Sequence, residues 1–134
     1  MKRCQEFEAE YENGLALRIL GFQGNDARIL CVCNFTNISR GSFQACNMGY
    51  SISQDFGGQG LTTEFVEGAT NYVFKELDLH RIMANYVPEN VRSARILEKL
   101  GFAKEGQAKS YLKIAGAWRD HVLTAKINPL HEDA

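Results

Sequence analysis

The stretch richest in chemical possibility is Gly57-Gly58-Gln59-Gly60-Leu61-Thr62-Thr63-Glu64. Glycine lets backbone approach a ligand because no Cβ intervenes. Leu61, Phe65, Val66, Ala69, Tyr72, Val73 and Leu77 then recur three or four residues apart and predict a helix. The first N–H groups of a helix lack intrahelical partners and lie at its positive end. An anion such as a pyrophosphate suits that place. A loop that merely needs glycines for its path accounts for the same residues equally well. A P-loop wants Lys and then Ser or Thr after its last glycine, where Leu61-Thr62 stand. A dinucleotide fingerprint wants a small residue at Thr63 and an acid closing a second strand. Asp78 has the right distance but ends the helical pattern, so that fit is weak.

The elements that would position this turn follow from local patterning. Residues 2–12 are polar, with Phe7 and Tyr11 four apart, and read as a short amphipathic helix or the tail of a longer one. Stretches 15–22 and 27–35 read as a strand hairpin turned at 23–26. Residues 36–42 read as a polar loop and 43–52 as a third strand entering the glycine-rich turn. After the helix, 81–87 alternates like a buried strand until Pro88, which lacks an N–H. Asn90 can cap a second helix with Val91, Ala94, Leu97 and Leu100 on one face, and Gly101 suits its C-terminus. Strands are expected at 102–107, 110–114 and 118–127, with a turn at 115–117, and the tail 128–134 reads as loose. One strand–helix–strand crossover amid antiparallel strands predicts a mixed α/β layer fold rather than a doubly wound sheet.

A length of 134 residues is one domain, with neither repeat nor linker. Its 15 basic and 16 acidic residues argue against sequence-independent binding of nucleic acid. No run is apolar and long enough to span a membrane, and no signal-peptide pattern opens the chain. A cytoplasmic location with no membrane partner is expected. Cys4, Cys31, Cys33 and Cys46 form no C-x-x-C pair, and no His lies at zinc-finger spacing. They read as buried thiols rather than metal ligands, with Cys31 and Cys33 on one strand face.

Several separated motifs, in order, resemble the GNAT acyl-CoA N-acetyltransferases, and within them the RimJ/RimL type. They are Asn34-Phe35-Thr36-Asn37, Gly41-Ser42-Phe43, Gly49-Tyr50-Ser51-Ile52, Gly58-Gln59-Gly60-Leu61-Thr62-Thr63-Glu64 and His80-Arg81-Ile82-Met83-Ala84-Asn85-Tyr86-Val87-Pro88-Glu89-Asn90. Arg92-Ser93, Leu100-Gly101-Phe102, Glu105-Gly106 and Trp118-Arg119-Asp120-His121-Val122-Leu123-Thr124 continue the likeness. The resemblance implies a mixed, mainly antiparallel GNAT-type sheet flanked by helices, with acetyl-CoA as co-substrate. It implies a protein or peptide N-terminus as acceptor, with alanine of a ribosomal protein foremost. A CoA-binding module without catalysis and a small-molecule amine acetyltransferase are the alternatives.

The family's Q/R-x-x-G-x-G/A loop falls on residues 57–62. Gly57 stands where Gln or Arg is usual, and Thr62 where a small residue is usual. The implied cofactor-binding set is Gly58, Gln59, Gly60, Leu61, Thr62 and Thr63 at the diphosphate, Tyr50 and Ile52 beside the pantetheine arm, and Asn90 and Ser93 near the thioester. Ser93 is the implied catalytic residue, beside the departing sulfur, although a first-turn helix serine fits as well. Arg92, Arg95 and Lys99 read as a solvated helix face rather than a 3′-phosphate site. Glu64 is a base by residue type alone, and a first-turn acid by position. Tyr111 reads as a packed strand tyrosine before a thioester contact. Leu112 occupies a place where some relatives carry a carboxylate, so that role does not transfer. His80 and His121 read as structural or surface groups. The family usually opens with a strand and helices ahead of residue 15, and these are expected to be missing apart from a helix end. The bare sheet edge that would result predicts a homodimer or a swapped strand.

Overall fold

The computed structural model describes residues 6–12, 16–23, 26–52 and 59–131. Seven strands, β1 (Glu6–Glu12), β2 (Ala16–Gln23), β3 (Asp26–Ser39), β4 (Ala45–Ile52), β5 (Arg81–Tyr86), β6 (Ala103–Ile114) and β7 (Ala117–Ile127), form one sheet in the order β1-β2-β3-β4-β5-β7-β6. Helix α1 (Gln59–Glu76) joins β4 to β5, and α2 (Val91–Lys99) leads from β5 towards β6. Only β4 and β5 run parallel, as expected for strands joined by a helix. The mixed, mainly antiparallel layer architecture is the one the patterning predicted. The core lies between sheet and helices, where Phe65, Val66, Ala69 and Val73 of α1 and Ile96 and Leu97 of α2 meet Ile19, Cys33, Phe35 and Ile82.

Four local expectations are corrected. Residues 6–12 are a strand paired along its whole length with β2, from Glu6↔Phe22 to Glu12↔Ala16, not a helix. Glu-Phe-Glu-Ala-Glu-Tyr-Glu alternates with a period of two, which a strand satisfies and a helix does not. The β2 edge is therefore covered by β1, and β1 takes its place as the edge strand on that side of the sheet. Residues 36–39 continue β3 instead of forming a loop. The register shift between Thr36 and Ser39 is a bulge with Asn37 at φ 51, and it keeps Ile38 in the core. The two short strands expected over 102–114 are one strand, β6, bulged between Ala108 and Leu112.

The tail is the fourth. Asn128 is wholly buried and donates its side-chain amide to the carbonyls of Leu79 (2.8 Å) and Phe74 (3.3 Å). Its backbone N–H donates to His80 O at 2.8 Å, and a short 3-10 helix (Pro129–His131) follows. The end of β7 is thus tied to the end of α1.

Other local signals hold. Gly101, at φ 89, closes α2, with Phe102 N–H reaching Leu97 O and Gly101 N–H reaching Glu98 O. Ala115 and Gly116 both have positive φ, as a two-residue hairpin turn requires. No described helix is long and apolar enough to cross a membrane.

Cys31, Cys33 and Cys46 are buried and free of disulfides; Cys4 lies outside the described residues. Burial pushes the Cys46 thiol up to about 12, outweighing an opposing pull from Arg40, and raises Cys33 as well. The unfolded chain releases these protons from about pH 9 while the folded chain keeps them. Fewer protons are then bound in the unfolded state, so stability falls as pH rises between 9 and 12. Urea midpoints should decline over that range by an amount of order 1 kcal/mol per pH unit per thiol. A Cys33→Ala/Cys46→Ala variant should show a shallower decline; an unchanged slope would refute the assignment.

Candidate active site

The site begins where a ladder ends. The parallel pairing of β4 with β5 runs from Ala45↔Arg81 to Met48↔Ala84. Beyond it, Gly49 to Ile52 stay paired with β3, from Asn34 to Cys31. On the other side Asn85 and Tyr86 stay paired with β7. Each strand is held by its outer neighbour while the two inner edges part. Between them lies a cavity of about 270 Å³, reached by Tyr50 of β4, Tyr86 of β5, Asn90 and Ser93 at the start of α2, Ile114 of β6 and His121 of β7.

The start of α2 is built by its cap. Asn90 Oδ1 accepts the Ser93 N–H at 3.1 Å, which satisfies one of the orphan donors of the first turn. This leaves Asn90 its NH₂ group and the second lone pair of Oδ1 to offer a ligand. The same cap sets where Ser93 projects. Tyr50 donates its hydroxyl to Ser93 Oγ at 3.2 Å, linking residues 43 apart in the chain. Burial holds the Tyr50 phenol above its ordinary pKa, more than the Ser93 hydrogen bond and the Arg92 charge lower it. Tyr50 is therefore a protonated donor at neutral pH. Ser93 accepts that proton's hydrogen bond, and its own O–H remains to be donated elsewhere.

The first turn of α1 is close by. Thr62 is 3 % exposed, and the Arg92 guanidinium lies 3.5 Å from its Oγ1. A cation from α2 thus stands at the positive end of α1, a setting that favours an anion. Helix α1 begins at Gln59, two residues earlier than its apolar pattern marks, so Gln59, Gly60, Leu61 and Thr62 form its first turn. Gly57 and Gly58 lie outside the described residues.

The remaining candidates separate. Ser93, Tyr50 and Asn90 come together at one cavity, whereas Ile52, the last residue of β4, is not among the described residues that line it. Glu64 is exposed and falls in the second turn of α1, not the first. Arg95 and Lys99 are exposed, as a solvated face requires. His80 is remote from the cavity lining; its ring stacks on His131, which meets Asp78 through Nε2 at 2.7 Å. Tyr111 is 44 % exposed, with its ring 5.8 Å from that of His121. His121 itself lines the cavity, and local patterning had no signal for it beyond residue type. Its ring reaches the cavity only because β7 pairs with β5. Among the described residues no cluster of His, Cys, Asp and Glu is arranged to hold a metal ion.

Comparison with known proteins bears on this geometry. The model of the acetyltransferase (GNAT) domain family matches residues 1–103. The chain belongs to the GNAT acetyltransferase family. It is 49% identical over 119 residues to the [ribosomal protein uS5]-alanine N-acetyltransferase of Escherichia coli, covering 89% of this chain and 61% of that relative. The chain thus spans less than two thirds of that relative's length. Among solved structures, the ribosomal-protein-S5-alanine acetyltransferase of Vibrio fischeri superposes with a TM-score of 0.81 at 43% identity, covering 86% of this chain and 63% of that one. Mycobacterium smegmatis RimJ in complex with CoA-disulfide gives 0.80 at 30% identity, over 90% of this chain and 56% of that one.

Removing the cap tests how the GNAT site is held. Asn90→Ala should cost about 1 kcal/mol in urea unfolding. It should also weaken the Tyr50–Ser93 contact, read as loss of protection of the Tyr50 hydroxyl in NMR exchange. Full protection would show that Ser93 is positioned without its cap.

Proposed function

We propose that this chain transfers an acetyl group from acetyl-CoA to the α-amino group of a protein, the N-terminal alanine of a ribosomal protein being the leading acceptor. The observation that carries the reading is the parting of β4 and β5 around Tyr50 and Ser93, beside a helix start that favours an anion. The 49% identity to an alanine N-acetyltransferase supports the acceptor.

The residues present suit a diphosphate carrier with an extended arm. The backbone N–H groups of Gly58, Gln59, Gly60, Leu61, Thr62 and Thr63 would hold the diphosphate, helped by the α1 dipole and by Arg92. Thr62 contributes through its backbone, since its side chain is turned inward. The β4 edge from Tyr50 to Ile52 would hold the arm through main-chain groups that no β5 residue pairs. The bound thioester supplies an activated acyl group. Ser93 then offers its O–H to the departing sulfur, with Tyr50 fixing the direction of that hydroxyl. Asn90 holds the turn in register.

An α-amino group suits such a site. Its pKa lies near 7.7–8.0, against about 10.4 for lysine, so roughly a tenth is already unprotonated at neutral pH. Positioning then supplies much of the rate.

Thiol release from acetyl-CoA should be measured with an alanine-ended peptide, a lysine peptide with a blocked N-terminus, and a small polyamine. The alanine-ended peptide is expected to turn over best. Preference for the polyamine would redirect the reading to small amines. Calorimetric binding of CoA with no turnover of any acceptor would leave a binding module. Ser93→Ala should lower kcat by about 10²-fold, at the lower end for a proton-donating group, while CoA affinity changes little.

A further inference from the structure

We propose that His121 is the base that takes the proton from the acceptor amine, through Nε2. This rests on the acetyl-transfer reading above and names a residue for its missing half. His121 Nδ1 lies 3.0 Å from the backbone oxygen of Arg119. A carbonyl oxygen only accepts, so Nδ1 carries the hydrogen, and in the neutral ring Nε2 keeps a lone pair. His121 is 3 % exposed, yet every fully buried side-chain nitrogen and oxygen among the described residues has a partner. Nδ1 has Arg119, and Nε2 has no partner among the described residues, so Nε2 is the atom that meets open space. The space His121 lines is the cavity that Ser93 also lines.

The rest of the surroundings agree. No carboxylate, lysine or arginine lines that cavity among the described residues, and His121 is its one imidazole. Tyr50 and Tyr86 are the other titratable groups facing it. The Arg119 guanidinium, on the same strand, is engaged with Glu89. Tyr111 covers the His121 ring from β6, its rings at 5.8 Å and tilted by 56°. That placement depends on the β6 bulge, where Ser110 adopts φ 47 and donates its N–H to Asp120 Oδ1 at 2.9 Å. Bulges of this kind re-aim a side chain beside a site. Donor and acceptor of protons thus come from different walls: Ser93 from α2, His121 from β7.

One proton of the acceptor ammonium passes to Nε2 and from there to solvent. The freed amine nitrogen forms its bond to the acyl carbon as the carbon–sulfur bond breaks. A second nitrogen proton ends on the departing sulfur, and the third stays on the amide.

The test uses His121→Asn, whose side-chain NH₂ can keep the hydrogen bond to Arg119 O. With acetyl-CoA and the alanine-ended peptide, kcat/KM should fall by about 10²- to 10⁴-fold. The acidic limb of its pH profile should move to the acceptor amine's own deprotonation, and CoA affinity by calorimetry should stay within about twofold of wild type. Activity within about threefold of wild type, or an acidic limb that does not move, overturns the assignment while leaving the acetyl-transfer reading standing. A wild-type chain that binds CoA but acetylates nothing overturns both. Should the variant fail to fold, imidazole ¹⁵N NMR on the wild type decides. An Nδ1–H tautomer whose Nε2 signal moves on adding the peptide supports the role, and an Nε2–H tautomer, or no movement, sinks it.

Discussion

Everything at the site depends on a ladder that stops. Parallel pairing between β4 and β5 lasts only from Ala45↔Arg81 to Met48↔Ala84. Both strands continue, because each has another neighbour to satisfy its opposite edge. A sheet cannot ordinarily leave inner edges apart, since buried backbone groups without partners are costly. The opening is tolerated because the start of α2 props it: Ser93 stands against Tyr50, and Asn90 caps the turn that holds Ser93 there. Cavity, exposed strand edge and directed hydroxyl are consequences of one interruption.

The opening also brings together residues that the chain keeps far apart. Tyr50 and Ser93 touch across 43 positions, and Arg92 and Thr62 across 30. His121 arrives from the other side by antiparallel pairing of β7 with β5, where Tyr86 faces Val122. Polarity is then set by simple chemistry. A buried phenol keeps its proton and here donates it to Ser93, and a carbonyl must accept, so Tyr50 and Arg119 between them orient one hydroxyl and one imidazole. The same tie between distant segments holds the far end of the sheet, where Asn128 closes β7 onto one carbonyl in the last turn of α1 and one just beyond it.

Legibility tracked the range of the forces involved. Asn90 as a cap, Gly101 as a helix stop and the 115–117 turn were readable because each answers to its own few residues. The bulges at Asn37 and Ser110 were not, because a bulge is a mismatch between two strands and exists only when both are present. Strand β1 is a different case. Its glutamates alternate with Phe7, Ala9 and Tyr11, so the period was in plain view, and the Phe7–Tyr11 spacing competed with it. Pairing with β2 resolved that competition in favour of the strand.

The amino-acid order alone determined the layer class, the capped helix beginning at Asn90, the burial of three thiols and the family likeness that Gly60, Asn90 and Ser93 share with acyl-CoA-dependent enzymes. These are properties of short windows or of motifs in series. Tertiary structure decided that Tyr50 donates to Ser93, that Arg92 stands at the head of α1, and that His121 faces the cavity while His80 stacks on His131. Two histidines of identical chemistry were given unlike surroundings. Strand pairing sets which side chain reaches a cavity, and no window of sequence contains both partners of a pair.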